Sequence, residues 1–303
     1  MSEYTARFAI PVYNKFGKKI YLDQMSVEEI RERLKECDII MVPCGSVENH
    51  GPAAPVGEDT LIGTYIAERV AYETGITVAP PIYYGSHPSH HYGMTGTIPV
   101  EKEAYIGYVL SVVKWLSNTG FKKIILFNSH GQEYVLPIVK DLAIIREGVH
   151  ALILVTSWWA WVRDIIQVGK ELAPGVKLET PFIHADELET SVTLYVAPKL
   201  CDTSKLPVAK AEKMVGVIPD KWVDKAGNVY GRPFGWYDVS NYMEIHHYPI
   251  GVVGDASKAS VEKGKPVVEE AIKRITEFIE WLKKEYPPGK VPKVWPEEGD
   301  FKY

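Results

Sequence analysis

Short, unbroken apolar runs alternate along the chain with longer stretches in which apolar positions recur every three to four residues. Asp38-Ile39-Ile40-Met41-Val42-Pro43 is apolar through its interior and ends at Gly45, which predicts a strand buried on both faces. Residues 59–73 (DTLIGTYIAERVAYE) carry apolar positions at helical spacing, and Gly75–Ala79 predicts a second short strand stopped by Pro80-Pro81. Residues 101–119 predict a helix with Gly120 as its C-cap. Lys123–Asn128 is the clearest buried strand, punctuated by Ser129-His130-Gly131. A helix from about Tyr134 to Arg146, a strand over Ala151–Thr156 and an amphipathic segment over 258–285, ending at Pro287-Pro288, complete the pattern.

Strands alternating with helices at this spacing predict an α/β fold, with a mostly parallel sheet covered on both faces. The 303 residues suit one large domain, spanning 1–303. Residues 200–250, rich in Trp, Tyr, Gly and Pro, read as a loop-rich segment over the sheet and not as a separate domain. In such sheets ligands bind beyond the carboxyl ends of the strands. The polar clusters after Val42 and after Phe127 both fall there.

Composition narrows the function classes. A net charge of -5 and a pI near 6.0 leave no basic face or tail for a nucleic acid. No apolar run approaches the roughly 20 residues needed to span a bilayer, and the N-terminal MSEYTARFAIPVYNKFG lacks the layout of a signal peptide. Cys37, Cys44 and Cys201 are odd in number and far apart, which argues against a disulfide framework. The expectation is a soluble, cytoplasmic protein with a small-molecule substrate and neither nucleic acid nor membrane as partner.

Candidate chemistry lies in the strand-end clusters. In Pro43-Cys44-Gly45-Ser46-Val47-Glu48-Asn49-His50, Glu48 and His50 are two apart, a spacing that in extended backbone puts both side chains on one side. Asp59 follows at the start of a predicted helix. Carboxylate oxygens and an imidazole nitrogen from one loop suit Zn²⁺, Mn²⁺ or Fe²⁺. The competing reading makes Asp59 a helix cap and His50 an ordinary loop histidine. His130, flanked by glycine beyond the strand at 123–128, favours the site. A third cluster, His184-Ala185-Asp186-Glu187-Leu188-Glu189, holds three carboxylates that a helix start could explain, and a histidine that it does not explain. His184 is therefore a candidate for proton transfer or substrate contact. Trp158, Trp159 and Trp161, after a predicted strand, could wall a pocket or pack a core. His246 and His247 could reach the site from the loop-rich segment.

The string GSVENHGPAAPVGEDT resembles the first metal-binding motif of the creatininase-like amidohydrolases, of general form G-S-x-E-x-H-G-x-x-L-P-x-x-x-D. Further blocks agree in order: Tyr84-Gly85-Ser86 with His91 and Gly96-Thr97, then Asn128-Ser129-His130-Gly131, then His184-Ala185 with Glu189-Thr190-Ser191, then Gly254-Asp255 with Lys263-Gly264. The resemblance runs from about residue 38 to 282.

It implies a single-domain three-layer α/β/α sandwich, usually assembled into hexamers. It also implies two divalent metal ions per subunit, Zn²⁺ first, with Mn²⁺ or Fe²⁺ as alternatives. Glu48, Asp59 and His130 would hold one ion. His50 and Asp59 would hold the other, with Asp59 bridging. In creatininase a glutamate two residues after the second histidine completes the second site. Here that residue is Gln132, with Glu133 one further on; Glu187 is the expected replacement ligand, with a water in its place or a weakly bound second ion as the alternatives. His184 aligns with a catalytic histidine, and Ser86, His91, Trp158 and Trp159 are expected to contact substrate.

Among the family's branches the chain looks most like the 3-dehydro-scyllo-inosose hydrolases of inositol breakdown. That implies ring-opening hydrolysis of a small cyclic carbonyl compound. The alternatives are an amidohydrolase cleaving a cyclic amide or formamide C–N bond, and a non-catalytic binding paralogue that lost the second metal with Gln132. A Rossmann dehydrogenase is disfavoured, since no GxGxxG comes after an early strand.

Overall fold

The computed structural model describes residues 10–132, 134–210, 217–219, 221–224 and 232–293. Among them β1 (Ile39–Cys44), β2 (Thr77–Val78), β3 (Lys123–Asn128) and β4 (Leu152–Ser157) form one sheet in the order β2-β1-β3-β4, with every neighbouring pair parallel. The register pairs Cys44 with Asn128 and Asn128 with Ser157. The carboxyl ends of β1, β3 and β4 are therefore level, and the loops that leave them start from one edge.

The helices are α1 (Val27–Glu36), α2 (Glu58–Thr74), α3 (Lys102–Thr119), α4 (Leu136–Ile145), α5 (Glu187–Val196), the short α6 (Glu244–His247) and α7 (Val261–Glu285). Successive side chains of a strand point to opposite faces, so β1 feeds two separate cores. Ile39 and Met41 pack with Phe127 against Ile62 and Ile66 of α2, Leu188 and Val192 of α5, and Val267 and Val268 of α7. Ile40, Val42 and Cys44 pack with Leu126 against Tyr105, Val109 and Val113 of α3 and Leu136 and Val139 of α4. Helices thus cover both faces of the parallel sheet, giving the α/β/α layering expected. Each such Ile, Leu or Val, fully buried, contributes roughly 1.5–3 kcal/mol of transfer free energy.

The pattern of apolar residues located α2, α3, β1 and β3 to within a residue or so and gave no sign of α1. That helix is mostly polar, and its start is set by Ser26. The Ser26 hydroxyl accepts from Glu29 N at 3.3 Å while the Glu29 carboxylate accepts from Ser26 N at 2.7 Å, a reciprocal capping box. At the amino edge of the sheet Lys123 is fully buried and pairs with Asp38, Nζ to Oδ1 at 2.5 Å. The α5–α7 contact is closer still. A Cβ at Gly264 would lie 1.9 Å from the Ser191 carbonyl oxygen, so only glycine lets the first turns of α7 rest on α5. This packing fixes the position of the acidic start of α5. No helix among the described residues is long and apolar enough to cross a membrane.

Candidate metal centre

The loop leaving β1 can form the site only because α2 begins directly against it. A Cβ at Gly45 would sit 2.4–2.6 Å from atoms of Thr60, including its backbone nitrogen. Glycine there admits the first turn of α2 to the strand end. The Thr60 hydroxyl then donates to the Ser46 carbonyl at 3.1 Å, and the Ser46 hydroxyl donates to Asp59 Oδ2 at 2.5 Å. Asp59 is not a helix cap. Gly57 occupies the N-cap position, and the Asp59 carboxylate turns inward.

The first four residues expected at the site come together. Glu48, His50, Asp59 and His130 are all buried. His130 Nδ1 lies 3.0 Å from Glu48 Oε2 and 3.1 Å from Asp59 Oδ2, while its Nε2 is 3.1 Å from the Ser86 carbonyl oxygen. His50 Nε2 lies 3.4 Å from Asp59 Oδ1, and its Nδ1 is held by the Glu48 carbonyl at 3.1 Å. His184 stands beside them, its ring 4.7 Å from that of His50. Its Nε2 meets the Asn49 carbonyl at 2.8 Å. The chain turns sharply at the next residue, with Ala185 in the left-handed region at φ 48°.

Other expectations need correction. Glu187 is buried but does not reach the cluster. Its carboxylate accepts from Glu179 N, from Thr180 N and Oγ1, and from Lys263 Nζ at 2.5 Å, so its charge is fully matched elsewhere. Gln132 is also turned away. Its Oε1 accepts from Ser86 N at 3.1 Å, and its Nε2 donates to Cys44 O, Gly45 O and Asn128 Oδ1, bracing the strand ends. Glu133 lies outside the described residues. Trp158 and Trp159 are buried: they pack edge to face with each other, and Phe182 lies tilted against Trp158 and edge-on to Trp159 in the hydrophobic core, as large apolar rings favour. Trp161 joins that core, with its ring 5.4 Å from Phe278. Ser86 serves as scaffold: its backbone holds His130 and Gln132, and its hydroxyl meets Tyr134 at 3.3 Å. His246 and His247 are exposed, and His247 stacks on Tyr242.

Several residues at the site were not expected from the sequence. Glu189, two residues beyond Glu187 on α5, places Oε2 3.8 Å from His50 Nε2 and 3.9 Å from His184 Nδ1. Residues two apart on a helix are about 200° apart around its axis, so only one of the two glutamates could face the site. Glu58, just before Asp59, is fully buried with His50 and Glu189 as neighbours. His87 lies 3.7 Å from Glu48 Oε1, and neither of its ring nitrogens has a hydrogen-bond partner. The loop-rich segment does reach in, through Glu244 of α6: its Oε1 is 3.4 Å from Nε2 of His91, whose Nδ1 is 2.5 Å from Glu48 Oε1. The clustering of histidines in Ser86-His87-Pro88-Ser89-His90-His91 was the signal that could have found this side of the site.

Electrostatically, burial opposes the charge on every member, and opposite charges decide which keep it. His130 is driven up to about 10 because Glu48 and Asp59 outweigh its desolvation, and Glu48 and Asp59 are held low by the surrounding imidazoles. His50 is raised by Asp59 in the same way. Burial prevails at His184 and His87, each lowered to about 4, and at Glu58, raised to about 7. Glu189 is pushed well above the usual carboxylate range, again mainly by burial.

The donor set fits divalent cations. His50 Nε2, both Glu58 oxygens and both His87 ring nitrogens are buried without a hydrogen-bond partner. Such orphaned groups are rare and costly unless something else satisfies them. Donor atoms of Glu48, His87 and His130, of Glu48, His50 and His184, and of His50, Glu58 and Glu189 lie within 4.8 Å of one another in each trio. Carboxylate oxygen with imidazole nitrogen is the chemistry of Zn²⁺, Mn²⁺ and Fe²⁺ sites.

Comparison with known proteins agrees. Residues 23–279 match the family model of creatininase, creatinine amidohydrolase. The chain is 45% identical over 276 residues to the 3-dehydro-scyllo-inosose hydrolase of Thermotoga maritima, covering 90% of this chain and 86% of that one. It is 26% identical over 283 residues to the creatinine amidohydrolase of Pseudomonas putida, covering 90% of this chain and 99% of that one. A solved mutant creatininase complexed with creatine superposes with a TM-score of 0.70 at 25% identity, over 89% of this chain and 100% of that one. The chain belongs to the creatininase family.

Proposed function

We propose that this chain is a metal-dependent hydrolase that opens the ring of a small cyclic dicarbonyl compound, with 3-dehydro-scyllo-inosose as the substrate. The observation that carries the reading is the 45% identity, over 90% of the chain, to a hydrolase of that compound. The orphaned carboxylate and imidazole donors support the metal dependence. Glu48, Asp59 and His130 would hold one cation, and His50, Asp59 and Glu189 the other, with Zn²⁺ first and Mn²⁺ or Fe²⁺ as alternatives. Cations bound there supply Lewis acidity, bringing the pKa of water toward neutrality and polarising a carbonyl.

The chain's own residues move the protons. Burial holds His184 at about 4, so it is neutral at physiological pH. Its Nε2–H donates to Asn49 O at 2.8 Å, which leaves Nδ1 as the nitrogen that exchanges protons. Nδ1 accepts a proton from water as the water oxygen bonds to the ring carbonyl carbon. In a 1,3-dicarbonyl ring the bond from that carbon to the carbon between the carbonyls then breaks. The electron pair stays on the departing carbon as the enolate of the second carbonyl, and His184 returns the proton to it. One water is consumed, and the ring becomes an open chain with one carboxylic acid and one ketone. His91, held between Glu48 and Glu244, is placed to contact substrate hydroxyls. Large apolar side chains exposed along α3 and α4 (Tyr108, Trp115, Ile138 and Ile145) support a homo-oligomer, which we propose as the working form.

The test is turnover by protein reconstituted with Zn²⁺ or Mn²⁺, offered the diketo-inositol and creatinine in parallel. One equivalent of carboxylate per diketo-inositol consumed is the expected result. Turnover of creatinine alone would move the assignment to C–N cleavage, and inactivity of the metal-loaded protein on both would remove the substrate reading.

A further inference from the structure

Glu58 has no evident structural role. It is the first residue of α2 and fully buried, yet neither carboxylate oxygen has a hydrogen-bond partner. The neighbouring Thr193 hydroxyl gives its proton to the Glu189 carbonyl at 3.2 Å. A carboxyl group in such a place costs a fold heavily unless a counter-charge meets it. The charges that face Glu58 are His50, Asp59, Asp186 and Glu189, and Asp186 is committed to capping α5 through Leu188 N and Glu189 N. Donor atoms of Glu58, His50 and Glu189 lie within 4.8 Å of one another. His50 Nε2 is itself without a hydrogen-bond partner, 3.4 Å from Asp59 Oδ1 and 3.8 Å from Glu189 Oε2. One imidazole nitrogen thus confronts carboxylates from the first turn of α2 and the first turn of α5.

We propose that Glu58 is a direct ligand of the second cation, completing a four-donor set with His50, Asp59 and Glu189. This rests on the two-metal reading above and deepens it. Glu48, Glu58, Asp59 and Glu189 together carry the charge that balances two dications when the imidazoles bind as neutral ligands. The assignment also explains how the centre dispenses with a carboxylate at position 132. The Gln132 amide braces the ends of β1 and β3, and the missing negative charge enters from α2.

The test compares wild type, Glu58→Gln and Glu58→Asp, stripped of metal and titrated with Zn²⁺, with bound metal counted per chain and melting followed with and without the ion. Wild type is expected to bind two ions. Glu58→Gln should keep one and hold the second at least about 10-fold more weakly, with Glu58→Asp in between. The metal-free Glu58→Gln protein should melt no lower than metal-free wild type, because the substitution removes an unmatched buried charge. Two ions of unaltered affinity in Glu58→Gln would overturn the proposal and leave Glu58 a protonated carboxyl beside Glu189. So would a metal-free Glu58→Gln that fails to fold, since that outcome makes the residue structural. A wild type that binds no ion at all would instead bring down the two-metal reading itself.

Discussion

Asp59 and His130 meet at 3.1 Å between Oδ2 and Nδ1, across the gap between the first turn of α2 and the end of β3. The other oxygen of the same carboxylate, Oδ1, lies 3.4 Å from Nε2 of His50. One side chain therefore faces both halves of the donor set, and no other carboxylate among the described residues does so at these distances. Glu48 pairs with His130, His91 and His87, and its donor atoms come within 4.8 Å of those of His50 and His184 without pairing as closely. Glu189 meets His50 and His184.

Asp59→Ala should therefore lose metal at both positions, whereas His50→Ala should retain the ion held by Glu48 and His130. Metal content per chain of the two purified variants is the measurement. Full occupancy in Asp59→Ala would show that the carboxylate is not shared.

The contrast between Glu187 and Glu189 shows where sequence reasoning reached and where it stopped. Strand ends and local spacing bring Glu48, His50, Asp59 and His130 to one edge, because each comes after a buried apolar run whose end can be read directly. The acidic start of α5 is different. Its two glutamates are equivalent in composition, and only the helix phase, set by Gly264 resting on Ser191, turns Glu189 inward and leaves Glu187 to Lys263. Likewise Trp158 and Trp159 come after β4 as a pocket wall would, but the Phe182 that packs against them lies far along the chain. Glu244 was hidden for the same reason: its approach to His91 depends on the path of a loop with no periodic pattern.

Glu187→Ala should destabilise the fold without emptying the metal centre. Its removal leaves Lys263 Nζ and two backbone N–H groups without their main acceptor in a buried setting. Breaking a pair of this kind costs about 3 kcal/mol. Chemical denaturation should read that loss while the metal content stays at the wild-type value. Loss of metal from a folded Glu187→Ala would reinstate Glu187 as a ligand.

At the opposite edge of the sheet, Lys123→Ala should be among the most damaging substitutions remote from the site. Lys123 Nζ bonds Asp38 Oδ1 at 2.5 Å and the Pro287 carbonyl at 3.2 Å, and Asp38 Oδ2 holds Gly289 N at 2.8 Å. The pair thus ties the start of β1 to β3 and to the chain after α7. Removing one partner of a buried ion pair costs about 3–5 kcal/mol, here with the cavity left by the aliphatic stem added. A fall in the denaturation midpoint with an unchanged denaturant slope would match this origin. A midpoint within experimental error of wild type would mean that the pair holds nothing together.

His184 separates proton transfer from metal binding. It is buried and neutral, its Nε2 is committed to Asn49 O, and its Nδ1 faces the cluster at 3.9 Å from Glu189 Oε2. A group placed this way can exchange a proton with water or substrate without holding an ion. His184→Ala should lower kcat by about 10²–10⁴-fold while metal content stays near that of wild type. His184→Gln, which can keep the bond to Asn49 O but cannot exchange the proton, should be no better than alanine. Recovery of turnover in the glutamine variant would assign His184 to positioning the Asn49 loop. Loss of metal together with activity would make it a ligand. Unchanged turnover would pass the proton to another group, and Asp186, raised to about 7 by burial at the start of α5, is the first to examine.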